Sequence, residues 1–279
     1  MSLWFCLAGH LPCEWARYDF MQSALLALLL IGPLCALLGC MVVSNQMAFY
    51  SEAMGHAALT GIAVGAIAGL ADPTGAMVVF GVVMALAITL VRRVSAVSTD
   101  TVIGVTMAFA VALGVVLLSR GGGFARYSRY LVGDMLTITR PELARLGLLA
   151  LAVLGVWLTL FNGLFLVTVN RSLARSRGIR VELAEALFAV LVAVVVSLCI
   201  PWVGILVINS LLILPAATAR NLARGTPQYY ALAVAFSLVA GVAGLVCSFY
   251  WDTATGATVV LFSAAFFALS LLARVRRGA

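Results

Sequence analysis

The sequence predicts an all-helical bundle of about eight to nine membrane-spanning helices, forming a single domain over residues 1–279. Three observations carry that prediction. The chain is 64% hydrophobic and only 10% charged, with a mean hydropathy of +1.16, whereas a soluble domain carries roughly 25% charged residues. Apolar runs recur at a length that crosses ~30 Å of hydrocarbon, which takes ~20 helical residues. The arginines fall mainly between those runs, where they set orientation instead of binding nucleic acid.

Residues 1–19 precede the first long run. Their first arginine is Arg17, behind Trp4, Cys6 and Trp15, so they lack the basic start of a secretory signal and read as an interfacial segment. Apolar runs then follow at 22–43, 48–70, 74–91, 101–119, 144–168, 182–200, 203–219, 228–250 and 257–273. Asp100, after Ser98 and Thr99, reads as a helix start, with a carboxylate favoured by the helix dipole. The run at 203–219 is short and flanked by Pro201 and Pro215, which predicts a broken or partly re-entrant helix. In 48–70, Ala53, Ala57, Gly61, Gly65 and Gly69 recur every fourth position, a ladder that lets helix backbones approach closely.

Eleven of the 17 arginines lie in Arg92–Arg93, Arg171–Arg180, Arg220–Arg224 and Arg274–Arg277. With nine spans these four connections share one side, which the positive-inside tendency makes cytoplasmic, leaving the amino terminus outside. The segment from Arg120 to Arg145 adds five arginines on the opposite side, together with Asp134 and Glu142.

Composition also excludes functions. All 17 basic residues are arginine, and a P-loop requires a lysine on the nucleotide phosphates, so ATP hydrolysis through such a site is ruled out. The six cysteines show no Cys-x-x-Cys spacing and read as small packing residues, with pairing of Cys6 and Cys13 left open. Neither a Gly-x-Ser-x-Gly elbow nor a His-Glu-x-x-His pair occurs, and His10 and His56 are the two histidines, which argues against intramembrane hydrolysis.

The functional candidate is the pair Glu52 and His56, in the run Met47-Ala-Phe-Tyr-Ser-Glu-Ala-Met-Gly-His-Ala-Ala-Leu-Thr-Gly. A spacing of four stacks carboxylate and imidazole on one helix face. Ionisable groups in a membrane helix are costly and mark ion pathways, relays or binding sites. Imidazole with carboxylate suits zinc, manganese or iron, and two ligands make a site an ion can leave. The same residues also suit a proton relay or a hydrogen-bonded pair that fixes helix packing. Asn209 and Ser210, within an apolar run, are candidate pathway-lining residues or interhelical glue. The segment Val169-Asn-Arg-Ser-Leu-Ala-Arg-Ser-Arg-Gly-Ile-Arg-Val-Glu is the most polar stretch, with a glycine suited to capping a short helix. It reads either as a partner-docking turn or as a solvated loop.

Taken together, these segments resemble the membrane permease subunit of the bacterial ABC transporters that import zinc, manganese or iron (ABC-3 type), from about Asp19 to Leu271. Ser51-Glu-Ala-Met-Gly-His-Ala-Ala-Leu-Thr-Gly resembles the family's Gly-Asp-Ala-Leu-Ser-His-Ala-Ala-Leu-Pro-Gly. Ser98-Thr-Asp-Thr-Val-Ile-Gly resembles its Asp-x-x-Ile-Gly step, and Leu131-Val-Gly-Asp-Met-Leu its Leu-Phe-Gly-Asn-Ile-Leu. Leu211-Leu-Ile-Leu-Pro-Ala-Ala-Thr-Ala-Arg matches the family stretch almost letter for letter. Asn170, Ala174 and Gly178 fall on the family's Asp-x-x-x-Ala-x-x-x-Gly coupling segment, which makes 169–182 the cytoplasmic coupling segment.

The resemblance implies a type II ABC-importer-like fold and a homodimeric pore in the bacterial inner (plasma) membrane. It also implies a separate ATPase subunit below and an extracytoplasmic metal-binding protein above. The transported zinc, manganese or iron is cargo, with no cofactor bound permanently and no nucleic acid involved; membrane lipid surrounds the chain. Glu52 stands for the family's aspartate, Thr60 for a proline, and Asn170 for an acidic residue whose charge would be available to the ATPase. Ala254 and Ala257 stand where prolines are common, in Tyr250-Trp-Asp-Thr-Ala-Thr-Gly-Ala before the last helix. Two rival classes remain: a proton-coupled secondary transporter using Glu52 and His56, and a non-conducting membrane scaffold.

Overall fold

A computed structural model describes residues 14–70, 72–120, 133 and 135–276 of the chain. Its long helices are α1 (Asp19–Ser44), α2 (Ala48–Ile67), α3 (Thr74–Val94), α4 (Thr99–Arg120), α5 (Arg140–Val169), α7 (Val181–Val203), α8 (Ile205–Leu222), α9 (Thr226–Trp251) and α10 (Thr255–Arg276), with a short α6 (Arg171–Ser176) between α5 and α7. Each apolar run of the sequence is thus a helix, with α2 stopping short of position 70 and α8 starting after position 203. Eight of them, all but α2, are long and apolar enough to cross a membrane among the described residues. Helix α2 has the length, at 20 residues. Glu52, His56 and its many small residues hold its hydropathy down. Cys6, Cys13, His10 and Asp134 lie outside the described residues.

Two compact units make up the chain. The first comprises the described residues within Met1–Cys40, Val132–Ala152 and Trp202–Ala279; the second spans Met41–Leu131 and Val153–Pro201.

In the first unit α8, α9 and α10 pack against one another. Small residues set the closest approaches, since a Cβ on Gly39 would strike the backbone of Leu212 and one on Gly244 would lie 2.5 Å from Val259 Cα. The predicted irregularity at 203–219 is confined to Gly204, with φ +85° between α7 and α8. Pro215 is instead absorbed inside a continuous α8, which corrects the expectation of a broken or re-entrant segment. Gly133, at φ +70°, lies so close to the break that a Cβ would strike Val203. That gives the glycine of the 131–136 motif a physical reason. Asn221 Nδ2 donates to Ser270 Oγ at 2.9 Å and accepts from Arg274 at 3.3 Å, so the arginine-bearing ends of α8 and α10 meet at one end of this unit.

In the second unit α2 packs against α3 and α4. A Cβ on Gly61 would sit 2.7 Å from Met77 Cα, and one on Gly65 3.1 Å from Ala76 Cβ. The small-residue ladder therefore seats α3, with Ala53 and Ala57 also buried. Gly69 does not extend the ladder. It lies past the helix end at φ +73° with nothing near its missing Cβ, and the bonds Gly69 N–H to Ala66 and Leu70 N–H to Gly65 close α2 in a Schellman turn. Helix α4 starts where expected, but the cap is Ser98: its Oγ accepts from Thr101 N–H at 3.2 Å, with Asp100 in the first turn.

Candidate functional site: an ionisable stripe on helix α2

At 100° per residue, Tyr50, Met54, Ala57 and Gly61 fall on one side of α2, with Glu52 and His56 about 200° away. The first set is buried and so are most of the remaining positions, whereas Glu52, His56 and Leu59 are only half-buried. Neither the Glu52 carboxylate nor the His56 imidazole makes a hydrogen bond or ion pair to a described residue, and they do not bond each other. Within the described residues the pair is therefore not joined to its surroundings by a side-chain hydrogen bond. Among the described residues no third histidine, cysteine or carboxylate joins them.

Side chains flanking the stripe hold α2 in place. Tyr50 is fully buried, and its hydroxyl donates to the Ala189 carbonyl of α7 at 2.9 Å. Thr60 is fully buried too; its hydroxyl donates to the Ala110 carbonyl of α4 at 2.6 Å. The residue that replaces the family's proline therefore makes a cross-helix tie that proline lacks. Sequence reasoning passed over both as ties. A hydroxyl on an otherwise apolar helix is the available signal, since buried hydroxyls find partners.

Asn170, Ala174 and Gly178 prove to be three parts of one short helix. Asn170 is the N-cap, its side chain accepting from Ser172 N–H at 2.9 Å and Leu173 N–H at 3.1 Å. Ala174, with no exposed surface, packs among Val167 and Val181 at the junction of α5, α6 and α7. Gly178 has φ +76° and closes α6 through Gly178 N–H to Arg175 and Ile179 N–H to Ala174. The side chain at position 170 is thus a helix cap, a role asparagine performs as well as aspartate. Ion pairs fasten α6 to α7: Arg171 to Glu185 at 2.6 Å and Arg175 to Glu182 at 2.8 Å. Arg93 of α3 donates to the Glu182 carbonyl at 2.9 Å. Two of the four arginine-rich connections therefore meet at one end of the second unit.

In the first unit, Asn209 is half-buried and Ser210 buried on α8. Asn209 Oδ1 and Ser210 Oγ are both enclosed without a hydrogen-bond partner among the described residues. Unlike Thr218 of the same helix, which bonds Leu214 at 2.7 Å, they bond to no neighbour. Among the described residues neither oxygen ties α8 to another helix.

Eight helices long and apolar enough to span a membrane among the described residues, with arginines at several helix ends, define a polytopic membrane protein. The chain belongs to the ABC 3 transport family, whose model matches residues 17–274. It is 34% identical over 264 residues to the manganese transport system membrane protein MntC of Halalkalibacterium halodurans, covering 94% of this chain and 89% of the relative. Its identity to the high-affinity zinc uptake system membrane protein ZnuB of Haemophilus influenzae is 33%, over 93% and 99% of the two chains. Among solved structures it is similar to PsaBC from Streptococcus pneumoniae in complex with Fab, with a TM-score of 0.80 at 28% identity, covering 97% of this chain and 95% of that one. The protein is accordingly a multi-pass component of an ABC transporter in the inner (plasma) membrane.

Proposed function

We propose that this chain forms the translocation pathway of an ATP-driven importer of a divalent transition metal, zinc ahead of manganese and with iron also accommodated. The observation that carries the proposal is the half-buried Glu52 and His56, four residues apart on one face of α2 and without side-chain partners among the described residues. A carboxylate oxygen and an imidazole nitrogen are first-row metal donors. Two of them fall short of the four ligands of a structural zinc site, so the ion is held weakly enough to leave. The relatives named for manganese transport and for zinc uptake support the cargo class.

The energy source lies in a separate ATPase subunit, because the chain has no lysine for a P-loop. Asn170, Ala174 and Gly178 build the segment that docks it; the capped, ion-paired helix α6 supports this role. An extracytoplasmic metal-binding protein delivers the ion, and two copies of the chain form the transporter. Asn209 and Ser210 are proposed as polar lining residues of α8, supported by their enclosed, unpartnered oxygens.

The test is reconstitution of the chain with its ATPase in liposomes, followed by ATP-dependent uptake under competition among zinc, manganese, iron and magnesium. The expected result is uptake that depends on ATP and prefers a transition metal. Preference for none of them over magnesium, or uptake driven by a pH gradient without the ATPase, overturns the proposal.

A further inference from the structure

Helix α7 touches both ends of the transport problem within the second unit. At its start, Glu182 and Glu185 pair with Arg175 and Arg171 of α6. One turn further on, about 6 Å along the axis, the Ala189 carbonyl accepts the Tyr50 hydroxyl. Tyr50 lies two residues before Glu52 on α2. Only two polar contacts, Arg171 to Glu185 and Tyr50 to Ala189, therefore separate the short helix α6 from the helix that carries Glu52 and His56.

The character of the contact matters as much as its place. Tyr50 sits on the side of α2 away from the ionisable stripe and has no exposed surface. Its phenol fills the packed side, while its hydroxyl is the bond that joins α2 to the main chain of α7. A phenylalanine would fill nearly the same volume and lose that bond alone. Beside the start of α7 an open pocket of ≈ 460 Å³, lined by Arg92, Arg93, Arg171, Arg175, Glu182 and Glu185 among others, leaves the α6 end room to shift.

We infer that Tyr50 is a positioning residue: through its bond to Ala189 it transmits displacement of α6 and α7 to α2, moving the Glu52 and His56 ligands as a unit. The inference rests on the proposed metal-transport reading of those two residues. Tyr50 touches no ion in this scheme and acts through the helix it positions.

The test uses the complete transporter, this chain with its ATPase and binding protein in liposomes, and measures metal uptake and ATP hydrolysis on the same samples. Failure of the wild type to take up metal would sink the transport reading itself. With a transporting wild type, Tyr50→Phe should lower metal moved per ATP by about fivefold, the equilibrium worth of one neutral hydrogen bond, with ATP hydrolysis unchanged and the melting temperature lowered no more than in Thr60→Val, which loses a comparable buried bond. Equal losses of uptake and hydrolysis with a lowered melting temperature would mark Tyr50 as merely structural and overturn the inference, as would an unchanged ratio. Glu185→Gln loosens the exposed end of the same chain of contacts and should uncouple similarly, so it decides the matter if Tyr50→Phe does not assemble. Two contacts in series predict that the double variant loses no more coupling than the worse single one. Additive losses contradict it.

Discussion

Replacing Asn170 by alanine isolates what the start of α6 contributes. In the structure one side-chain oxygen satisfies two otherwise unpaired amides, at 2.9 and 3.1 Å. A helix of six residues is far too short to persist on its own, so its population depends on the cap, the Gly178 turn and the packing of Ala174. Losing such a cap costs about 1 kcal/mol, within a range of roughly 0.5–2. That corresponds to about a fivefold rise in the open population, since ~1.4 kcal/mol is tenfold. Hydrogen–deuterium exchange on a peptide covering 170–180 reads it directly: Asn170→Ala should exchange about fivefold faster at the amides of α6, and Asn170→Asp at the wild-type rate. If Asn170→Asp exchanged as fast as the alanine variant, or if alanine changed nothing, the capping account of this position would be wrong.

Other perturbations follow from the same geometry. Gly61→Ala forces a methyl to within 2.7 Å of Met77 Cα and should cost about 1–3 kcal/mol, read as a lower melting temperature of the detergent-solubilised protein; Gly75→Ala, with open space at its Cβ, should melt as wild type. Thr60→Val removes the donor to Ala110 and should destabilise by about 1 kcal/mol, whereas Thr60→Ser should restore most of it, measured in the same melts. Ser210→Ala deletes a buried oxygen that has no partner among the described residues, so its melting temperature should stay level or rise. A clear fall would reveal a hydrogen bond that this structure lacks.

The sequence made the helices legible because most are apolar runs bounded by arginine, glycine or proline, and a membrane leaves a chain few other ways to satisfy its backbone. The break at Gly204 was misplaced for the same reason it was noticed. Prolines flagged an irregularity, but a proline inside a long helix can be absorbed, and the positive φ falls on the glycine. Glu52 and His56 stood out because ionisable residues are rare in such a chain. What their setting would be was not legible: Tyr50 meets Ala189 across 139 positions and Thr60 meets Ala110 across 50, and no local pattern encodes which helices become neighbours. The 170–178 spacing was visible as a likeness, yet its physical meaning as cap, buried contact and left-handed turn needed coordinates.

The most direct test of the central claim is metal uptake by the reconstituted transporter carrying Glu52→Ala and His56→Ala together. The two side chains bond nothing in the described structure, so their removal should leave assembly and ATPase association intact. Uptake of zinc and manganese should then fall to the level of liposomes without protein. Normal uptake by an assembled double variant would contradict the assignment of the ion path to this face of α2.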